Sequence, residues 1–168
     1  PVEAIAGLML YSSHQMIPAF PGAPFPATYG GKPFPKSGCH PWAMSDQQKE
    51  FLEKDHIRHV LVTKFQDTRT AVRWQNGMQA YAESLPYGIP VNFSSDPRHG
   101  SADSGAEYKS GGCEVSKWPE GIGMAALFDP ERTREFARIT ASEYRALGIT
   151  TALGPQIDLC TEPRWMRL

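Results

Sequence analysis

Residues 87–101, "YGIPVNFSSDPRHGS", decide how this chain is read. An apolar run of strand length breaks off into two serines, an aspartate, an arginine and a histidine, without alternating polar and apolar positions. Three other stretches share that character: "EAIAGLMLYSS" at 3–13, "HIRHVLVTKF" at 56–65 and "GITTALGPQIDL" at 148–159. Strands buried on both faces look like this, and such strands belong to parallel sheets.

Helix signals lie between these runs. Ser45 with Gln48 forms a capping-box pattern that opens "SDQQKEFLEK". Asp67 precedes a segment in which Ala71, Trp74, Met78, Tyr81 and Leu85 recur at helical spacing. The clearest helix is "DPERTREFARITASEYRALG", 129–148, with Asp129 as N-cap and Pro130 at the first helical position. Phe136, Ile139, Tyr144 and Leu147 keep one face of it, and Gly148 supplies a left-handed stop. The predicted order is strand, loop, helix, strand, helix, strand, long loop, helix, strand. That alternation is α/β, and the right-handed crossover rule leaves an open doubly wound sheet or part of a barrel.

Composition narrows the partners. The chain has 168 residues, is 40% hydrophobic and carries a formal net charge of -1, enough for one core and without the basic footprint that a phosphate backbone demands. Nucleic acid is therefore not an expected partner. No apolar run reaches the roughly 20 residues of a bilayer span, so no membrane partner is expected. Three scattered cysteines, Cys39, Cys113 and Cys160, do not make a disulfide framework and leave the compartment open.

Two loops are long. Residues 17–41 are rich in proline and glycine and hold three phenylalanines and a tyrosine, and the other loop runs from Asp96 to about Ala125. In parallel architectures ligands bind at the carboxyl ends of strands. Asp96, Arg98 and His99 follow the third predicted strand, and Asp158, Glu162, Arg164 and Arg167 follow the fourth, so charged groups from two strand ends converge.

Each candidate has a structural reading beside its functional one. Asp96, Asp158 and Glu162 suit acid/base or nucleophilic work in glycoside hydrolysis, or acceptance of hydrogen bonds from sugar hydroxyls. Asp96 before Pro97 also fits an Asx turn. The arginines around Trp165 in "EPRWMR" offer forked donors and a stacking face, or a salt bridge that orders the loop. His56 and His59 have the spacing of a metal pair without a third ligand nearby, and no metal site is assigned. "GIGMAA", 121–126, fits the dinucleotide fingerprint on paper, but "SKWPE" stands where the required strand should be, and the fingerprint is rejected.

The linked order Asp-x-x-His-Gly, Trp-Pro, Glu-Tyr-Arg-Ala-Leu-Gly, Pro-x-x-Asp and Pro-Arg-Trp-x-Arg resembles the N-terminal barrel domain of glycoside hydrolase family 3, the β-glucosidase-like exo-glycosidases. The match is close over about residues 85–167, while "AGLMLYSS" resembles the family's first strand. By this resemblance Asp96 accepts hydrogen bonds from hydroxyls of the terminal sugar and Arg167 contacts the same sugar, while Arg98 and His99 lie in the matched loop in supporting roles; with the stacking face of Trp165 they complete the substrate-binding set. Met166 stands where the family's pattern commonly has glycine.

The resemblance implies the first half of a TIM-type (β/α)8 barrel, with parallel strands alternating with helices. Four strands are half of a barrel that takes about 250 residues. Residues 1–168 are thus expected to be the N-terminal portion of one such domain, apparently truncated, with 17–41 as a loop insertion. The implied enzyme is an exo-acting, retaining β-glycosidase that cleaves terminal sugars from a β-linked oligosaccharide or glucoside. No cofactor is implied, and the nucleophile and acid/base lie outside this chain, in the remainder of the barrel and a C-terminal domain. The alternatives are a non-catalytic sugar-binding fragment, or a β-xylosidase or N-acetylglucosaminidase of the same family. The expected location is secreted or periplasmic rather than cytoplasmic.

Overall fold

The computed structural model describes residues 1–13, 15–19, 27–96, 99–100, 114–155 and 164. Its centre is a sheet of four parallel strands, ordered β1 (Gln15–Ile17), β4 (His59–Phe65), β5 (Asn92–Ser95) and β6 (Thr151–Ala152). Helices α3 (Asp46–Glu53), α4 (Thr68–Ser84) and α6 (Pro130–Ala146) alternate with these strands, as expected of part of an α/β barrel.

The first strand is not where the apolar run placed it. Residues Val2–Gly7 form a short helix, α1, in which Val2 and Ile5 are exposed, and only Gly7 is buried. Gly7 packs so closely on Asp55 and His56 that a Cβ would come within 2.1 Å of the Asp55 carbonyl oxygen. "EAIAG" is rich in good helix formers, and a short apolar run without alternation does not separate a strand from a helix. Strand pairing begins further on. Tyr11 makes an isolated bridge to His59, and β1 itself is "QMI", with Gln15 opposite Val62 and Ile17 opposite Phe65.

The other strands lie within their predicted runs. β4 pairs with β5 through His59 and Asn92, and β5 with β6 through Ser94 and Thr151. Their side chains meet the helices in one core. Trp74 of α4 is fully buried, edge-on to Phe65 at 5.9 Å and tilted against Phe93 at 5.4 Å. Met78, Ala82, Tyr144, Leu147 and Ile149 enclose the same core.

The helix ends follow the sequence chemistry. Ser45 Oγ accepts from the Gln48 backbone N–H at 3.1 Å, while Gln48 Oε1 accepts from the Ser45 N–H at 2.9 Å. The same Gln48 amide also takes the Trp74 indole N–H at 3.1 Å and donates to Gln15 Oε1 at 2.9 Å, so one cap ties α3 to α4 and β1. Asp67 caps α4 and Asp129 caps α6. At the end of α6, the N–H of Gly148, at φ +82°, reaches the Arg145 carbonyl, and that of Ile149 reaches Tyr144. This is a Schellman stop.

Within residues 17–41 the described part has its own structure. Strands β2 (Thr28–Tyr29) and β3 (Lys32–Pro33) form a hairpin through Gly30 and Gly31, both at positive φ, followed by the short helix α2 (Phe34–Ser37). Two consecutive residues at positive φ are what a tight two-residue hairpin turn requires. The Asp46 carboxylate at the start of α3 accepts from the N–H groups of Gly30 at 2.9 Å and Gly31 at 2.8 Å and from the Thr28 hydroxyl at 2.7 Å. In the second long loop, "GIGMAA" is the short helix α5 (Gly121–Ala126), with no strand in 114–120 ahead of it.

Candidate functional site at the carboxyl ends of the strands

Both long loops leave the sheet at the carboxyl ends of strands, the first after β1 and the second after β5. Backbone hydrogen bonds hold these ends side by side. The Gln66 N–H donates to the Ile17 carbonyl at 2.9 Å, and the Leu153 N–H to the Ser95 carbonyl at 3.0 Å. The Ser95 hydroxyl donates across to the Val62 carbonyl at 2.7 Å. Asp96 is the next residue, half-buried, so its position is set by a strand bonded on both sides.

The backbone of the loop is fixed from behind by α6. The Tyr144 hydroxyl donates to the Asp96 carbonyl. Three residues after Asp96, the His99 side chain is fully enclosed, and its Nε2 lies 3.0 Å from Glu143 Oε2. The imidazole also packs against the rings of Tyr144, at 4.9 Å, and Phe136, at 6.3 Å and nearly perpendicular. Glu143 is occupied further: its carboxylate accepts from the Ser116 N–H at 3.0 Å and from the Ser116 hydroxyl at 2.8 Å. Ser116 Oγ accepts from the Trp118 indole N–H at 2.9 Å, and the Trp118 backbone N–H donates to the His99 carbonyl at 2.8 Å.

Of the substrate-binding set read from the sequence, the structure describes Asp96 and His99. It brings them to one loop but gives them different surroundings: Asp96 half-buried at the strand end, His99 closed off beneath it. Arg98, Trp165 and Arg167 lie outside the described residues, as do Asp158, Glu162 and Met166. Arg164 is exposed. His56 and His59 part company, His56 edge-on to Tyr87 and His59 beside the Tyr11 ring, with Nδ1 3.1 Å from Asn92 Nδ2. Among the described residues no three His, Cys, Asp or Glu side chains cluster as a metal site.

Sequence reasoning took Tyr144 as a core residue and gave Glu143, Ser116 and Trp118 no individual role. The available signal was that Trp-Pro and Glu-Tyr-Arg-Ala-Leu-Gly accompany Asp-x-x-His-Gly. The structure supplies the reason, because residues from all three stretches bond to one another.

The glycosyl hydrolase family 3 N-terminal domain matches residues 17–168. The chain belongs to this family. It is 41% identical over 119 residues to Beta-glucosidase C of Emericella nidulans, a match covering 70% of this chain and 19% of that protein. It is 43% identical over 119 residues to Probable beta-glucosidase C of Aspergillus oryzae, again 70% of this chain and 18% of that protein. To the Periplasmic beta-glucosidase/beta-xylosidase of Dickeya chrysanthemi it is 50% identical over 93 residues, 55% of this chain and 14% of that protein. The chain thus spans about a fifth of the length of these fungal family 3 relatives.

Proposed function

We propose that this chain is the sugar-binding part of an exo-acting, retaining β-glycosidase of family 3, and that Asp96 accepts hydrogen bonds from hydroxyls of the terminal non-reducing sugar. Arg167 is assigned to the same sugar, Arg98 and Trp165 to the rim around it, and His99 to the support of the loop. The observation that carries this reading is the place of Asp96, one residue past a strand bonded on both sides, at the end of a parallel sheet where barrel enzymes bind ligands. A carboxylate held there binds hydroxyls at little entropic cost, because its backbone is already ordered.

The reaction in this reading is double displacement through a glycosyl-enzyme intermediate. Its nucleophile and acid/base are assigned to other parts of a longer enzyme, a division that the greater length of the relatives supports. The substrate is a β-linked glucoside or oligosaccharide, supported by the beta-glucosidase names of the relatives. The Dickeya relative also carries the name beta-xylosidase, which favours a xyloside as the second substrate. Its periplasmic location supports a secreted or periplasmic setting here.

The test is Asp96→Ala in the active enzyme, assayed on 4-nitrophenyl β-glucoside and β-xyloside. We expect kcat/KM to fall by about 100-fold or more on the preferred glycoside, because sugar hydroxyls lose a charged hydrogen-bond acceptor worth about 1.5–3 kcal/mol per bond. Near-normal activity on both substrates rejects the assignment.

A further inference from the structure

We propose that Glu143 is a positioning residue for Asp96, acting through His99 and never touching substrate. The inference rests on the reading of Asp96 as the sugar ligand and adds Glu143, to which the sequence reading gave no individual role.

The geometry is a closed circuit. The His99 ring meets Glu143, Glu143 holds Ser116, Ser116 takes the Trp118 indole N–H, and the Trp118 backbone N–H returns to the His99 carbonyl. His99 has φ +49°, in the left-handed region that a side chain with a Cβ rarely adopts, so this residue keeps its backbone only while its surroundings impose it. With its side chain fully enclosed, His99 offers no surface to a sugar, and its influence on binding is indirect. Asp96 is the other end of the same short segment, and Tyr144, the residue next to Glu143, holds its carbonyl. Two neighbouring residues of one capped helix therefore hold positions 96 and 99, on either side of the Asp-x-x-His spacing that carries the Asp96 carboxylate. Displacement of a binding group by about 1 Å costs on the order of 100-fold in rate, which makes such a clamp a determinant of affinity as well as of folding.

The experiment is a double-mutant cycle in the active enzyme with Asp96→Asn and Glu143→Ala, read as KM and kcat/KM on 4-nitrophenyl β-glucoside and as Ki for glucose. We expect Glu143→Ala, in protein with cooperative melting, to raise KM and the glucose Ki about tenfold or more. In the Asp96→Asn background the same change should add little, because the group being positioned is gone. Glu143→Gln, which still accepts from Ser116, should recover most of the affinity. If Glu143→Ala does not fold, the cycle is run with Ser116→Ala, which removes the hydroxyl donor to the same carboxylate and the acceptor of the Trp118 indole N–H while keeping the backbone N–H. Normal KM and Ki, or effects that multiply fully with Asp96→Asn, overturn the proposal. The two readings fail separately: near-normal activity of Asp96→Ala removes the sugar-binding role itself, whereas an impaired Asp96→Ala beside an unimpaired, folded Glu143→Ala removes only the clamp.

Discussion

His99 Nε2 lies 3.0 Å from Glu143 Oε2, and the next residue along the same helix, Tyr144, donates its hydroxyl to the carbonyl of Asp96. Positions 96 and 99 are thus held by 144 and 143, two neighbouring residues of one helix.

Tyr144→Phe tests the second grip. It keeps the ring against His99 and the core while removing the donor to the Asp96 carbonyl. Loss of such a bond costs about 1–2 kcal/mol. Urea unfolding should show that loss, and the KM for an aryl β-glucoside should rise with it.

Arg58 is buried, with Nη1 donating to the carbonyls of Leu52 and Ile57 and Nε to that of Ile89, each at 2.9 Å. It binds the end of α3 to the approaches of β4 and β5 on the face away from Asp96. Arg58→Met fills much of the volume but leaves three carbonyls without this donor. We expect a loss of about 3 kcal/mol or more, visible as a lower melting temperature. Arg58→Lys should recover only part of it, since an ammonium lacks the planar fork.

Asp46 makes the hairpin clasp sensitive to acid. Hydrogen bonds from the Gly31 N–H, then from the Thr28 hydroxyl and the Gly30 N–H, hold its carboxyl below the usual carboxylate range. A lowered folded value means that the clasp contributes fully above the ordinary value of about 4 and is lost as the pH falls through the lowered one. Melting temperatures of the native protein and of Asp46→Asn should therefore differ at pH 7 and converge as the pH drops below about 4. A gap independent of pH would contradict this account.

Gly148→Ala should be costly for two reasons. The residue has φ +82°, and a Cβ there would lie 2.2 Å from Gln75 Oε1 of α4. The left-handed backbone alone costs a residue with a Cβ about 1–2 kcal/mol, and the buried Gln75 must also move. Chemical denaturation should show a loss beyond that range, and Gln75→Ala in the same background should recover part of it.

What the sequence conveyed was local chemistry. The Ser45–Gln48 capping box, the Asp67 and Asp129 caps, the Pro130 start and the Gly148 stop are determined by a few neighbouring residues, and α3, α4 and α6 were legible for that reason. The runs around Val62 and Phe93 were legible as strands because their buried positions within 60–63 and 93–95 hold apolar and small residues. "EAIAGLMLYSS" failed as a strand because apolar content alone does not choose between an exposed helix and a buried strand. That choice depends on what Gly7 and Tyr11 meet, namely Asp55, His56 and His59, some fifty residues away in the chain.

The candidate site divides along the same line. Asp96 and His99 stood out from residue type and from their place after an apolar run, and the sequence determined by itself that polar groups gather at that strand end. Only the tertiary structure decided that Asp96 remains half-buried at the strand end while His99 is enclosed, and that Glu143, Ser116 and Trp118 hold it. A circuit of hydrogen bonds and one close His99–Glu143 contact among positions 99, 116, 118 and 143 has no period along the chain. It exists because the return of α6 to the sheet brings Glu143 to His99 and Tyr144 to Asp96, just past the end of β5.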